Sequence, residues 1–191
     1  MAAPAWAEAR LAVTGALRLA RGDAGGLTCF DPSLDGFWRS FRAGALSYPL
    51  YLILLAFPIP GTPPISGWDG FVIETIHYVV SWTAFPLLVL PLADRLGRGS
   101  RFLAFMVVYN WCQLPLTALF ALVAVGGGVG LLSADATSVA DLGAAALALV
   151  YEWYIARVGL MLDGMRAVLV VVLDIVLATV LTQISTALYA G

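Results

Sequence analysis

The stretch "RAVLVVVLDIVLATVLTQISTALY", residues 166–189, decides the fold class. After Arg166 it carries one carboxylate, Asp174, and is otherwise aliphatic, small or neutral polar. A bilayer's hydrocarbon core is about 30 Å thick and is crossed by roughly 20 apolar residues of helix. A run of this length has no polar face to show to water, so it reads as a membrane span. The whole chain agrees. Of its 191 residues 61% are hydrophobic and 12% charged, against about 25% charged in ordinary soluble domains, and the mean hydropathy is +0.92. A net charge of -2 with no basic run excludes a nucleic-acid surface.

Four further runs match the first, giving five predicted spans at 36–57, 70–92, 102–125, 139–161 and 166–189. Each ends for a chemical reason. "FPIPGTPPISGWDG" carries four prolines and three glycines, which forbid continued helix. "ADRLGRGSR", "GGGVG" with "SADATSVAD", and "LDGMR" supply the other breaks. The expected fold is all-α, a polytopic five-helix membrane bundle over residues 35–191, preceded by a cytoplasmic segment over 1–34.

Orientation follows from the basic residues, all ten of which are arginine. Short loops rich in Lys and Arg stay cytoplasmic. Arg10, Arg18, Arg21, Arg39 and Arg42 precede or open the first span, Arg95, Arg98 and Arg101 separate the second and third, and Arg157 and Arg166 flank the turn between the last two. The remaining loops and the tail have none, which predicts N-terminus in and C-terminus out, in a bacterial inner membrane.

Residues 5–21, "AWAEARLAVTGALRLAR", lack the uninterrupted apolar core and cleavage site of a signal peptide. Trp6, Ala9, Val13, Leu17 and Ala20 share one helical face flanked by Arg10, Arg18 and Arg21, as in a helix lying on the cytoplasmic leaflet. A helix packed on the bundle is the alternative. In "FDPSLDGFWRSFR" Asp31 and Pro32 read as N-cap and first helical residue. Trp38, Arg39 and Arg42 read as interfacial anchors, since indole and guanidinium suit the headgroup zone.

Ionisable side chains inside a bilayer cost roughly 2.5–3.5 kcal/mol each on insertion scales and are functional candidates by default. Asn110, Gln113, Glu152 and Asp174 fall roughly 12–16 Å from the cytoplasmic ends of their spans at 1.5 Å per residue, so three helices are expected to meet in one polar layer. Glu152 shares a small-residue stripe with Ala145, Ala148, Ala156 and Gly159, which places it toward the bundle. Arg157 is rotated by about 140° from Glu152 and reads, with Trp153, as an anchor at the cytoplasmic end; an ion pair with Asp174 is the alternative. Glu74 and His77 form a polar pair toward the outer side of the second span. The Glu-x-x-His spacing is half of a di-iron site, but His77 is the only histidine, and a hydrogen-bonded pair is the better account. Pro86, Pro91 and Pro115 bend their helices.

The two cysteines, Cys29 and Cys112, lie in segments too different to pair. No P-loop, nucleophile elbow or Cys/His metal cluster is present. No catalytic residue, metal or cofactor is therefore expected.

The layout resembles the Yip1 family of small five-span membrane proteins. The residues that carry the likeness are Asp35, Gly36, Phe37 and Trp38 before the first span, and "YEWYIARVGLMLDGMRAVLVVVL", residues 151–173. The resemblance implies association with other membrane proteins or with lipid. It does not extend to GTPase binding, because the family's long cytoplasmic N-terminal region is replaced by some thirty residues. Two functions follow as expectations. One is a scaffold, assembly factor or membrane-organising partner that works by self-association or with other membrane proteins in the bilayer. The other is a proton- or cation-translocating protein that uses the Glu152/Asp174 layer.

Overall fold

The computed structural model describes residues 5–57 and 67–190, with side chains over 6–57 and 67–188. Among the described residues seven α-helices follow one another: α1 Ala5–Ala20, α2 Leu34–Ser40, α3 Arg42–Ala56, α4 Gly67–Arg95, α5 Phe102–Gly128, α6 Ala134–Gly159 and α7 Gly164–Ala190. Short 3-10 turns at Ala24–Cys29 and Gly99–Arg101 lead into α2 and α5. Among the described residues there is no strand. Among the described residues four helices are long and apolar enough to cross a membrane: Gly67–Arg95, the 3-10 turn with α5 over Gly99–Gly128, Ala134–Gly159 and Gly164–Leu188.

The expected span 36–57 is divided into α2 and α3. The division falls at Phe41, next to Ser40, whose hydroxyl donates to the Phe37 carbonyl at 2.7 Å. The helix that remains, α3, has 15 residues with Pro49 inside, about 22 Å at 1.5 Å per residue. The proline-rich break after it falls at residues 58–66, outside the described residues.

The start of α2 also differs from expectation. Its N-cap is Ser33, whose hydroxyl accepts from the Gly36 amide at 3.0 Å. Asp31 instead accepts from the Ser33 amide at 3.0 Å and pairs with Arg39, so Pro32 lies before the helix. α5 runs through Gly126, Gly127 and Gly128 rather than stopping at 125. These glycines serve close approach: a methyl on Gly127 would lie 2.6 Å from the Thr137 hydroxyl, and one on Gly128 only 2.1 Å from the Phe57 ring.

α5 lies at the centre, packed on α3 to one side and α6 to the other, while α7 packs against both α6 and α4. Its residues Phe105, Met106, Trp111 and Cys112 are buried together with Phe85 and Val89 of α4, Ile155 and Ala156 of α6, and Ala167 and Val170 of α7. α1 and α2 also pack against α5.

The face of α1 that meets the protein is Ala12, Ala16 and Leu19. The face expected to be apolar lies mostly outward, with Trp6 66% and Leu17 42% exposed. The helix is held through its backbone, since the Tyr151 hydroxyl donates to the Ala16 carbonyl at 2.7 Å and Tyr154 to the Gly22 carbonyl at 2.6 Å. Glu8 adds ion pairs to Arg39 at 3.0 Å and Arg42 at 3.3 Å.

Candidate functional site

The polar side chains of α5 follow helical spacing. Asn110, Gln113 and Thr117 recur every three or four residues and share a face. That face looks onto a cavity of about 130 Å³ bounded by Ser81, Trp82 and Phe85 of α4, and by Asp174, Leu177 and Ala178 of α7. Measured from the nearer helix ends (Phe102, Gly159 and Gly164), Asn110, Gln113, Glu152 and Asp174 lie about 10–17 Å deep at 1.5 Å per residue. The four therefore belong to one level of the bundle.

Glu152 of α6 and Asp174 of α7 are electrostatic neighbours across the contact between the two helices. The Gln113 side-chain amide stands beside Glu152, and the Tyr109 hydroxyl beside Asp174. The Tyr109 ring is held by stacking on Phe85, with centroids 4.2 Å apart. No ion pair joins either carboxyl to a basic residue among the described residues. Arg157 in particular leaves Asp174 alone: its guanidinium carbon lies 5.5 Å from the Trp153 ring centroid on an exposed face. Trp153 is fixed in turn by its indole N–H, which donates to the Gly164 carbonyl at 2.9 Å.

Asn110 has a second task. Its amide nitrogen donates to the Ser40 hydroxyl at 2.8 Å, and Ser40 passes the bond to the Phe37 carbonyl. The residue at which α2 breaks is thus tied to the polar layer. Two further residues of the site, Tyr109 and Ser81, do not stand out in the sequence, because Tyr and Ser are cheap to place in a span. The signal for Ser81 is its position seven residues after Glu74, two turns along one face of α4.

Glu74 and His77 sit away from this cavity, toward the Gly67 end of α4. Glu74 is buried, accepts a hydrogen bond from Tyr51 of α3, and lies 3.2 Å from Nδ1 of His77. Next to them the Tyr48 and Thr75 hydroxyls share a hydrogen bond of 2.8 Å. The pair is thus built into the contact between α3 and α4.

The anchors gather where α2 and α3 meet. Trp38 is 65% exposed and stacks on Phe41. Arg39 bonds both oxygens of Glu8 from Nε and reaches Asp31 from Nη2. Hydrogen bonds from Ser33, with the Arg39 guanidinium behind them, hold the Asp31 carboxyl below the usual carboxylate range. Asp23 is lowered in the same way, by Arg18 first and then by the Gly25 amide.

Among the described residues no three His, Cys, Asp or Glu side chains cluster so as to hold a metal. Compared with family models, with curated proteins and with solved structures, the chain matches none. The functional reading therefore rests on the geometry of the site.

Proposed function

We propose that this protein is a multi-pass protein of the bacterial inner membrane that takes up a proton or a cation at Glu152 and Asp174, as a transporter or a subunit of one. The observation that carries the reading is the nearness of two carboxyl groups on α6 and α7, of which Asp174 lines the cavity, with no basic side chain paired to either among the described residues. Two negative charges at this separation in a low-dielectric layer repel strongly, so such a pair shares a proton or holds a cation. A purely structural fastening needs no second carboxyl. Five spans, N-terminus in and C-terminus out, complete the reading, with α3 as the short fifth span and α1 resting between bundle and leaflet.

Reconstitution into liposomes loaded with a pH-sensitive dye tests it. Under an imposed gradient of H⁺, Na⁺ or K⁺, flux is expected from the unsubstituted chain and not from Glu152→Gln or Asp174→Asn. Equal flux from all three, or none from any, would overturn the proposal.

A second reading, a scaffold or assembly partner as the Yip1-like layout implies, is favoured by the far half of α7. From Ala178 to Leu188 its one buried residue is Ser185, and Val180, Ile184 and Leu188 are exposed. That half offers a face to a second helix.

A further inference from the structure

Helices α3 and α4 meet through side chains and leave a gap beside the contact. The Tyr78 hydroxyl donates to the Gly44 carbonyl at 2.7 Å, and a methyl on Gly44 would lie 3.0 Å from the Trp82 ring. Alongside runs an apolar groove of about 430 Å³, walled by Phe41, Ala45 and Tyr48 of the α3 side and by Val79, Trp82 and Thr83 of α4. Its α4 wall, Thr75 to Thr83, lies about 12–24 Å from the first residue of α4 at 1.5 Å per residue. That is the middle of a helix long and apolar enough to span a membrane. A groove at that depth faces hydrocarbon, and what fills it comes from within the bilayer.

The charge that follows the Phe41 wall in sequence selects among membrane occupants. Phe41, which lines the groove, is followed by Arg42, whose side chain is 48% exposed. Arg42 makes one ion pair, a 3.3 Å contact from Nη1 to Glu8, although both Glu8 oxygens are already bonded by Arg39. Its Nε and Nη2 donate to nothing else among the described residues. Trp38 stacks on Phe41 beside it, with ring centroids 6.0 Å apart. A half-exposed guanidinium next to Phe41 and an exposed indole stacked on it, adjoining one wall of an apolar groove, form a pattern that can receive a phosphate above an acyl chain.

We infer that the α3–α4 groove is a lipid subsite holding one acyl chain of an anionic phospholipid, with the phosphate on Arg42. The inference is independent of the carboxyl pair.

Native mass spectrometry of the detergent-purified full chain, titrated with dioleoyl phosphatidylglycerol or dioleoyl phosphatidylcholine, tests it. Phosphatidylglycerol is expected to bind more tightly by about fivefold, the worth of one arginine against an anionic lipid. Arg42→Gln should remove that preference, and Glu8→Gln should keep it. Ala45→Trp fills the groove and should lose both lipids; if it lowers the melting temperature, Thr83→Phe fills the groove from the opposite wall. Equal binding of the two lipids to the unsubstituted chain would overturn the inference, as would adducts undiminished in the folded groove-filling variant. A homodimer that the same variant breaks would assign the groove to a second copy instead.

Discussion

Glu152 and Asp174 are neighbours across the contact between α6 and α7. The short turn from Leu160 to Asp163 makes the approach possible. Met161 takes φ 52° there, the Leu162 amide bonds back to the Arg157 carbonyl at 3.0 Å, and Asp163 caps α7 through the Arg166 amide at 2.9 Å. Two helices folded back so tightly are antiparallel neighbours whose residues meet level by level.

Because the two carboxyls act as one unit, their substitutions should not add. Glu152→Gln and Asp174→Asn are each expected to abolish dye-reported flux, and the double variant to add nothing. Two partial, multiplying losses would mean two independent sites.

The small-residue stripe of α6 predicts a packing phenotype separate from the carboxyls. Ala156 is 1% exposed, so Ala156→Leu inserts a side chain into filled space at a cost of about 1–3 kcal/mol. The expected result is a lower thermal midpoint in detergent, whereas Glu152→Gln keeps a midpoint near that of the parent.

Removing one hydroxyl should release α1. Tyr151→Phe keeps the ring but leaves the Ala16 carbonyl without its 2.7 Å bond, a loss of about 0.5–1.5 kcal/mol. Limited trypsin digestion at Arg18 and Arg21 is expected to speed up in this variant. Unchanged cleavage would show that Ala12, Ala16 and Leu19 suffice to hold the helix.

Asp31 gives a pH dependence whose sign is determined. Its carboxyl is held below the usual range in the folded chain, so the unfolded chain binds its proton first and stability rises with pH. The contribution is present above the ordinary carboxylate value of about 4 and is lost as pH falls through the lowered one. Asp31→Asn should therefore lower the thermal midpoint at pH 7, and the difference should shrink as pH falls below about 4. The effect is small, below ~1 kcal/mol, because the pair with Arg39 is partly exposed.

Topology has its own test. A C-terminal alkaline phosphatase fusion should be active and an N-terminal green fluorescent fusion bright, as an odd number of spans requires. A silent phosphatase fusion would mean that α3 does not cross.

Sequence by itself determined the solvent and the elements. Hydropathy marked four long helices to within a few residues, because a backbone in hydrocarbon must satisfy its own hydrogen bonds and does so as helix. Helical period and depth predict one level for Asn110, Gln113, Glu152 and Asp174, since both are arithmetic on a straight helix. Tertiary structure decided the rest. The division of the first expected span next to Ser40, which Asn110 reaches from seventy residues away, and the cap at Ser33, with Asp31 paired to Arg39, belong to the packed chain. The protein-facing side of α1 was set by where Tyr151 offers a hydroxyl, because Trp6 and Leu17 are as apolar as the Ala12 and Leu19 that are buried. Which apolar face meets protein and which meets lipid is not written in hydropathy: the two environments differ in shape, and shape belongs to the packed bundle.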